Sequence, residues 1–258
     1  MSAWLILLFA LAVADPEPIK VPAAIPREKG SNVVTDKSGN VRWTAEWTME
    51  PFREQGQNAV RFTETGMGRY APFRQDVRWS AEAIWSAQDV FSPIRVEKKF
   101  TDASGHTIQT ERKTIDQAKS VALFERTSAV GKPLTRSLQI TRATLVGEGI
   151  AGILQFLPFE QWHPFTSELL SNEPEVYNVK IELRGKERIK TPAGVFECYK
   201  IELVPQLGLL NILRSLAPKI YFWFSVSSPH VWVRYEGPES TPGSPHVVME
   251  LKSYEIGR

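Results

Sequence analysis

The chain has 258 residues and a formal net charge of +2, which comes from 31 basic and 29 acidic residues. A hydrophobic fraction of 42% and a charged fraction of 23% are typical of a globular protein, and the near balance of charge argues against a nucleic-acid-binding protein. Eight tryptophans and thirteen phenylalanines indicate an unusually aromatic core or pocket.

The first 14 residues are similar to a signal peptide. An unbroken apolar run begins at Trp4 and ends at Ala14, where small residues precede Asp15, although no Lys or Arg comes before the run. Spanning a bilayer takes about 20 apolar residues, so the run is too short for a membrane anchor. We therefore expect a periplasmic or otherwise exported protein that does not span a membrane once the signal is removed. Because no cysteine lies at the cleavage site, we also expect no lipid anchor.

Residues 15–40 are predicted to form a Pro-rich linker, and residues 41–258 a single β-rich domain. Four prolines fall between positions 16 and 26, and a polar stretch follows from Lys29 to Asn32. Such a composition buries little surface and favours an extended chain.

From Val41 onward the sequence predicts a meander of strands. Trp43 and Trp47 alternate with polar residues, and the same period of two recurs around Trp79 and Trp85, which indicates strands with one dry face. The predicted strands cover residues 41–49, 59–64, 77–85, 94–101, 107–115, 120–126, 135–144, 176–183, 194–203, 219–226, 231–236 and 247–255.

Two features of this meander carry specific expectations. Residues 66–68 and 184–186 are predicted as turns, and the hairpin of residues 94–115 is predicted to lie at a sheet edge because it is rich in charge, which discourages unwanted strand pairing. Its charged residues are Glu97, Lys98, Lys99, Glu111, Arg112 and Lys113.

Helical spacing is limited to short segments. Apolar residues from Ile150 to Leu157 follow a helical period, residues 166–170 could form a second helical turn, and Leu207–Ala217 reads as a short apolar helix between two prolines. Gly149 and Gly152 weaken a helix, so we expect them to allow close contact with the sheet.

Together these patterns predict a mainly β (α+β) fold, in which a strongly curved antiparallel sheet forms a half-barrel with short helices packed on its concave face. A twisted sheet of about ten strands tends to curl, and the curl encloses space that an acyl chain could occupy. The side chains expected to line that space are Trp43, Trp47, Trp79, Trp85, Phe222 and Phe224.

Reactive chemistry is sparse in the sequence. Cys198 is the only cysteine and is expected to be a buried, unreactive thiol, and the four histidines show no metal-ligand spacing. No phosphate loop or nucleophile motif is present. Glu160 and His163 form the single acid-base candidate, for which a polar loop is the simpler interpretation. We expect no enzyme activity, no catalytic residues, no metal and no cofactor.

The C-terminal third carries a resemblance. The run from Thr191 to Cys198 (TPAGVFEC), the segment from Tyr221 to Ser225 (YFWFS) and Val233–Tyr235 (VRY) resemble an exported bacterial family of unknown function, itself similar to the LolA/LolB-like lipoprotein-localisation fold. The resemblance implies a half-barrel closed by helices, an envelope location and lipid or lipoprotein handling. The family supplies no catalytic residues. Leu207–Ala217 is an insertion relative to it, either a lid over the cavity or a plug within it.

Two functions remain open from the sequence. The first is an exported cell-envelope protein that binds or carries an apolar ligand, a lipid or a lipoprotein acyl chain, in the concavity of the sheet. The alternative is a structural or assembly module with a fully packed interior, whose partners are envelope proteins. A hydrolase built on Glu160 and His163 is a distant third.

Overall fold

The computed structural model describes residues 15–206, 219–241 and 243–257. The predicted signal peptide and the Leu207–Ala217 segment lie outside the described residues. Within them the chain is mostly β-structure, and no described helix is long and apolar enough to cross a membrane.

Fifteen strands form one sheet, and short helical elements interrupt it between β9 and β10. The strands are β1 (Arg27–Asp36), β2 (Val41–Glu54), β3 (Gln57–Gly68), β4 (Val77–Ala87), β5 (Phe91–Thr101), β6 (Thr107–Asp116), β7 (Val121–Ser128), β8 (Leu134–Gln139), β9 (Thr144–Val146), β10 (Phe165–Leu170), β11 (Val176–Thr191), β12 (Gly194–Pro205), β13 (Ile220–Ser225), β14 (Trp232–Pro238) and β15 (His246–Gly257). Helix α1 (Ile150–Leu154) and a 3-10 turn (Phe159–Gln161) separate β9 from β10.

The sheet is a meander in which the strands at its two edges follow one another in the chain. Its spatial order is β8-β7-β6-β5-β4-β3-β2-β1-β15-β14-β13-β12-β11-β10-β9, so the two edge strands are consecutive in the chain. All pairings are antiparallel except that of β9 with β10. The sheet is not closed. It is curled, as shown by the contact between β9 at one end and β5 near the other. The expected mainly β, largely antiparallel fold is confirmed.

The prediction of a linker over residues 15–40 is wrong for Arg27–Asp36. These residues form β1, which pairs with β2 on one side and β15 on the other, in the middle of the sheet. Glu28, Asn32 and Val34 are buried on its inner face. Because two of these three residues are polar, the alternation of inner and outer residues in β1 is not an alternation of apolar and polar residues, and hydrophobicity did not predict the strand.

Other predicted turns and helices are also strands. Residues 66–68 belong to β3, residues 184–186 belong to β11 at an irregularity in its register, and residues 166–170 form β10. The helices expected on the concave face reduce, in the described part of the chain, to the five residues of α1 and one 3-10 turn. Close contact with the sheet is found at both glycines: a Cβ at Gly149 would lie 2.9 Å from Phe62, and one at Gly152 2.8 Å from Met49.

Each of three tryptophans on the inner face lies opposite a glycine on the neighbouring strand. The register pairs Trp47 with Gly30, Trp79 with Gly66 and Trp43 with Gly68. A Cβ on Gly30 or Gly66 would lie 2.6 Å or 2.1 Å from the indole of its partner. Glycine therefore leaves room for the rings of Trp47 and Trp79 over the adjacent strand.

Most of the core lies inside the curl. One large cluster joins residues from both halves of the sheet with α1, among them Trp85, Phe91, Leu154, Phe159 and Phe224. A second cluster surrounds Trp43, Tyr70, Trp79 and Phe100 at one end of the interior. A small third cluster holds Cys198 and Trp223 on the other face of β12 and β13, so β13 is buried on both faces.

We predict that Gly66→Ala destabilises the protein. The new methyl group would overlap the Trp79 ring, and overpacking of this kind costs about 1–3 kcal/mol of unfolding free energy. Urea unfolding followed by tryptophan fluorescence measures the loss. Gly147→Ala is the matched control, because nothing lies within 4 Å of its added Cβ. Equal unfolding midpoints for the two variants would refute the packing argument.

Candidate functional site

The inner face of strands β2 to β7 carries a row of charged residues. In an antiparallel sheet, residues directly opposite one another point to the same face. The register places six such neighbours in one line, namely Trp47, Glu64, Ala81, Lys98, Glu111 and Arg126. Lys98 and Glu111 are buried, whereas Glu97, Lys99 and Arg112 beside them are exposed.

The prediction that this charged hairpin lies at a sheet edge is therefore wrong. β5 and β6 are interior strands, and their charges are divided between the two faces by the period of two. Lys98 lies between buried Val96 and Phe100, and Lys113 lies between Glu111 and buried Ile115. That position among apolar neighbours of the same parity is the signal that sequence analysis could have used to find them.

Lys113 links one end of the sheet to the other. Its side chain is fully buried, and its Nζ donates to Glu148 Oε2 and to Asn172 Oδ1, both at 2.7 Å. Glu148 follows β9 and Asn172 follows β10, so these bonds cross the interior from β6. Burial raises the pKa of Glu148, but the charges of Lys113 and Lys98 outweigh it, and the net shift is downward. Glu148 is therefore a carboxylate with a fixed partner.

Arg126 makes a second link at the same place. Its Nε donates to Glu111 Oε1 at 2.8 Å, and its guanidinium also donates to the backbone carbonyl of Asn172. Glu111 accepts a further bond from Gln109 at 2.9 Å. The carboxylate of Glu111 thus has its cation beside it within the sheet.

Lys98 is buried but forms no ion pair within the described residues. Its Nζ donates to Tyr70 Oη at 2.9 Å and lies 4.5 Å and 5.2 Å from the ring centroids of Tyr70 and Phe100. Burial lowers the pKa of Lys98, whereas Tyr70, Glu148 and Glu64 raise it, and the balance is upward. Lys98 is therefore charged at neutral pH, and within the described residues its ammonium donates to one acceptor, Tyr70 Oη.

Glu64 faces Lys98 across Ala81 and is held differently. Its Oε1 accepts from Trp79 Nε1 at 2.8 Å. Burial raises the pKa of Glu64, and the opposing influences of Lys98 and Trp79 do not cancel that rise. Its carboxyl therefore takes up a proton more readily than an exposed glutamate does.

A second polar group lies on β1 and α1. Glu28 is only 7% exposed, its Oε2 accepts from Gln155 Nε2 at 3.2 Å, and its Oε1 has no hydrogen-bond partner among the residues that the structure describes. Burial raises the pKa of Glu28, and the bond from Gln155 offsets part of that rise. Next to it, Trp47 Nε1 donates to Asn32 Oδ1 at 3.1 Å, which fixes the indole.

A third group fixes Trp43 at the end of the interior. The side chain of Glu239 is fully buried and accepts from Arg42 at 2.8 and 3.0 Å, from Trp43 Nε1 at 2.7 Å and from the backbone N–H of Ala71 at 2.7 Å. This single carboxylate joins β2, the β3–β4 loop and the segment after β14. Both of its oxygens accept hydrogen bonds from these neighbours, so we assign it a structural role.

These polar groups surround a cavity of about 450 Å³ inside the curled sheet. The volume lies within the range of about 300–1,000 Å³ found for small-molecule sites. Its wall is mainly apolar and comes from β1 to β5 and β10 to β15, with Met49, Phe62, Ile150, Leu170, Val179, Leu203, Ile220, Trp232, Tyr235 and Met249 among the lining residues. Lys98 is the one lysine or arginine that lines it within the described residues.

The six residues predicted to line the cavity are divided by the structure. Trp43, Trp47 and Phe222 line it. The other three, Trp79, Trp85 and Phe224, lie in packed clusters instead: Trp85 and Phe224 are fully buried, and the ring of Phe224 lies 5.5 Å from that of Phe159. Whether any of them contacts a ligand stays a prediction. Side-chain parity identified the inner face, but it did not indicate which inner residues pack on one another.

The remaining candidates are structural or exposed. Cys198 is fully buried, and burial, with Glu187 and Glu197 nearby, raises its pKa to about 12. His163 is half-exposed and its Nε2 lies 3.3 Å from Glu17 Oε2, in an exposed contact. Within the described residues no cluster of His, Cys, Asp and Glu is arranged to hold a metal ion. The absence of enzyme activity stays a prediction.

We predict that Lys113→Met is strongly destabilising because it leaves Glu148 buried without its cation. The expected loss of unfolding free energy is about 3–5 kcal/mol, measured by urea unfolding at pH 7. Adding Glu148→Gln removes the uncompensated charge and should recover part of the loss. Lys119→Met, which breaks an exposed pair with Asp116, is the control and should change little. A double variant no more stable than Lys113→Met would contradict this account.

We predict that Glu28→Gln changes the pH dependence of stability. A folded-state pKa raised above the ordinary 4.5 means that the wild-type protein loses stability as pH rises from about 4.5 through the folded pKa. The variant lacks this loss, so its stability relative to wild type rises over that window by at most about 1.4 kcal/mol per pH unit. Urea unfolding from pH 4 to 8 measures the slope. Exposed Glu46→Gln is the control, and parallel curves for Glu28→Gln and wild type would contradict the burial argument.

Comparison with known proteins gives a family without a known function. No curated protein matches the chain. Two crystal structures are similar: a presumed exported protein with a YmcC-like fold from Bacteroides fragilis (9% identity, covering 92% of this chain and 99% of that one, TM-score 0.34) and a presumed lipoprotein from Parabacteroides distasonis (10% identity, 94% and 100%, TM-score 0.32). At these scores and identities neither supports a functional argument. Residues 33–252 match the family described as protein of unknown function DUF3108, and the chain belongs to that family.

Proposed function

We propose that this protein is an exported cell-envelope protein that binds or carries a lipid or acyl chain inside its curled sheet. The observation that carries the proposal is the cavity of about 450 Å³, whose wall is mainly apolar. Apolar surface that is kept from water without neighbouring side chains loses dispersion contacts, and an acyl chain would supply them. The signal-like first 14 residues support export, and the resemblance to the LolA/LolB-like fold agrees with lipid handling.

Two large rings in the wall are held in place before any ligand arrives. Trp43 is fixed by Glu239, and Trp47 is fixed by Asn32 and lies over Gly30. Rigid apolar walls reduce the entropy lost on binding, which favours affinity. Two indoles that are fixed by hydrogen bonds and line a cavity fit a ligand-binding protein better than a module with a packed interior.

We predict that the protein binds a neutral acyl ligand in this cavity. A brominated fatty-acid methyl ester should quench tryptophan fluorescence, because Trp43, Trp47 and Trp232 line the cavity and bromine quenches on contact. Protein purified from its own host should also carry a bound lipid in native mass spectrometry.

The control for this binding is a variant that fills the cavity. Ala151 lines it from α1, so Ala151→Phe should reduce quenching several-fold, whereas Ala118→Phe in an exposed turn should not. Equal quenching in both variants, or no quenching and no bound lipid in the wild-type protein, would favour the packed assembly module instead.

A further inference from the structure

The wall of the cavity contains an ammonium group with unused hydrogen-bonding capacity. Lysine carries three N–H donors, and Lys98 directs one of them to Tyr70 Oη. The residue is 6% exposed, so bulk water does not satisfy the remaining two. Tyr70 accepts from Lys98 and keeps its own hydroxyl hydrogen to donate, and it lines the same cavity. Lys98 and Tyr70, which contact each other, therefore present N–H and O–H donors to a cavity whose wall is mainly apolar.

Two of the carboxylates near Lys98 are paired with other cations, although Glu148 Oε1 has no hydrogen-bond partner within the described residues. Glu148 is bonded to Lys113, and Glu111 to Arg126, both at less than 3 Å. Glu64 forms no ion pair within the described residues, and its Oε1 accepts from Trp79 Nε1 at 2.8 Å. The charge of Lys98 is thus balanced only at a distance, by Glu148 and Glu64.

We propose that Lys98 and Tyr70 bind the anionic headgroup, a carboxylate or phosphate oxygen, of an amphiphilic ligand whose acyl chain occupies the cavity. This inference rests on the proposed function and names the class of ligand. An anion entering an apolar site loses its hydration and needs a cation and hydrogen-bond donors in return. In such a site a charge-assisted hydrogen bond is stronger than in water.

The position of the pair suits this role. Lys98 lies opposite Ala81 in the register, and Ala81 also lines the cavity, so the smallest side chain in the row separates Lys98 from Glu64. The rings of Tyr70 and Phe100 lie against the ammonium and restrict where it can move. The headgroup would therefore meet a fixed charge, with the apolar wall of Trp47, Met49 and Phe62 beside it.

The test compares a long-chain acid with its neutral ester. Isothermal titration of the full chain at pH 7 with palmitate and with methyl palmitate should give at least about tenfold tighter binding of the acid, the effect of one charge-assisted bond. Lys98→Met should abolish the preference, so that the variant binds palmitate no more tightly than it binds the ester. Lys99→Met, one residue away on the outer face, should retain the preference.

A second variant covers the case in which Lys98→Met does not fold. Tyr70→Phe keeps the ring but removes the hydroxyl, and it should reduce the ratio of palmitate affinity to ester affinity. Lysophosphatidate binding more tightly than palmitate assigns a phosphate headgroup, and the reverse order assigns a carboxylate. Either order supports an anion site if Lys98→Met abolishes the preference.

The outcomes separate the two proposals. If wild-type protein binds acid and ester equally, the headgroup inference is overturned and the apolar cavity remains a binding site. If it binds neither, both fail together. A preference for acid that survives Lys98→Met places the headgroup elsewhere and also overturns the inference.

Discussion

The architecture depends on a buried charge pair that crosses the open side of the sheet. An open sheet of fifteen strands leaves two edges, and nothing in its backbone pairing joins them. Here Lys113 on β6 reaches Glu148 and Asn172, which follow β9 and β10 at the other end. Charges removed from water must be paired, so the pair restricts how far the sheet can open. The same requirement keeps the end of the interior polar while its middle is apolar.

The second constraint is the size of the aromatic side chains. A curled sheet brings its inner side chains together. A large indole fits there where the residue opposite it on the neighbouring strand has no side chain. Glycines opposite Trp47 and Trp79 provide that room, since a Cβ at Gly30 or Gly66 would overlap the indole. The register also places Gly68 opposite Trp43.

The polar groups of the wall differ in what they can do. Glu239 and Glu148 are held by nearby cations and act as structural links. Lys98 retains donors, and within the described residues Glu28, Glu148 and Trp232 each have an atom without a hydrogen-bond partner. A wall with donors and acceptors at separate places suits a ligand with one polar end. This difference between satisfied and unsatisfied groups is the basis for placing a headgroup at Lys98 and a chain among the apolar residues.

The sequence by itself determined the elements in which one face is apolar. β2 and β4 were predicted because Trp alternates with small or polar residues, and a period of two is a local property. It did not reveal β1 or the inward position of Lys98 and Lys113, because polar residues on an inner face look like surface until their partners are known. Those partners lie far along the chain: Glu148 is 35 residues from Lys113, and Asn172 is 59. Only the curl of the sheet brings them together, and so only the tertiary structure decided which tryptophans pack in the core and which face the cavity.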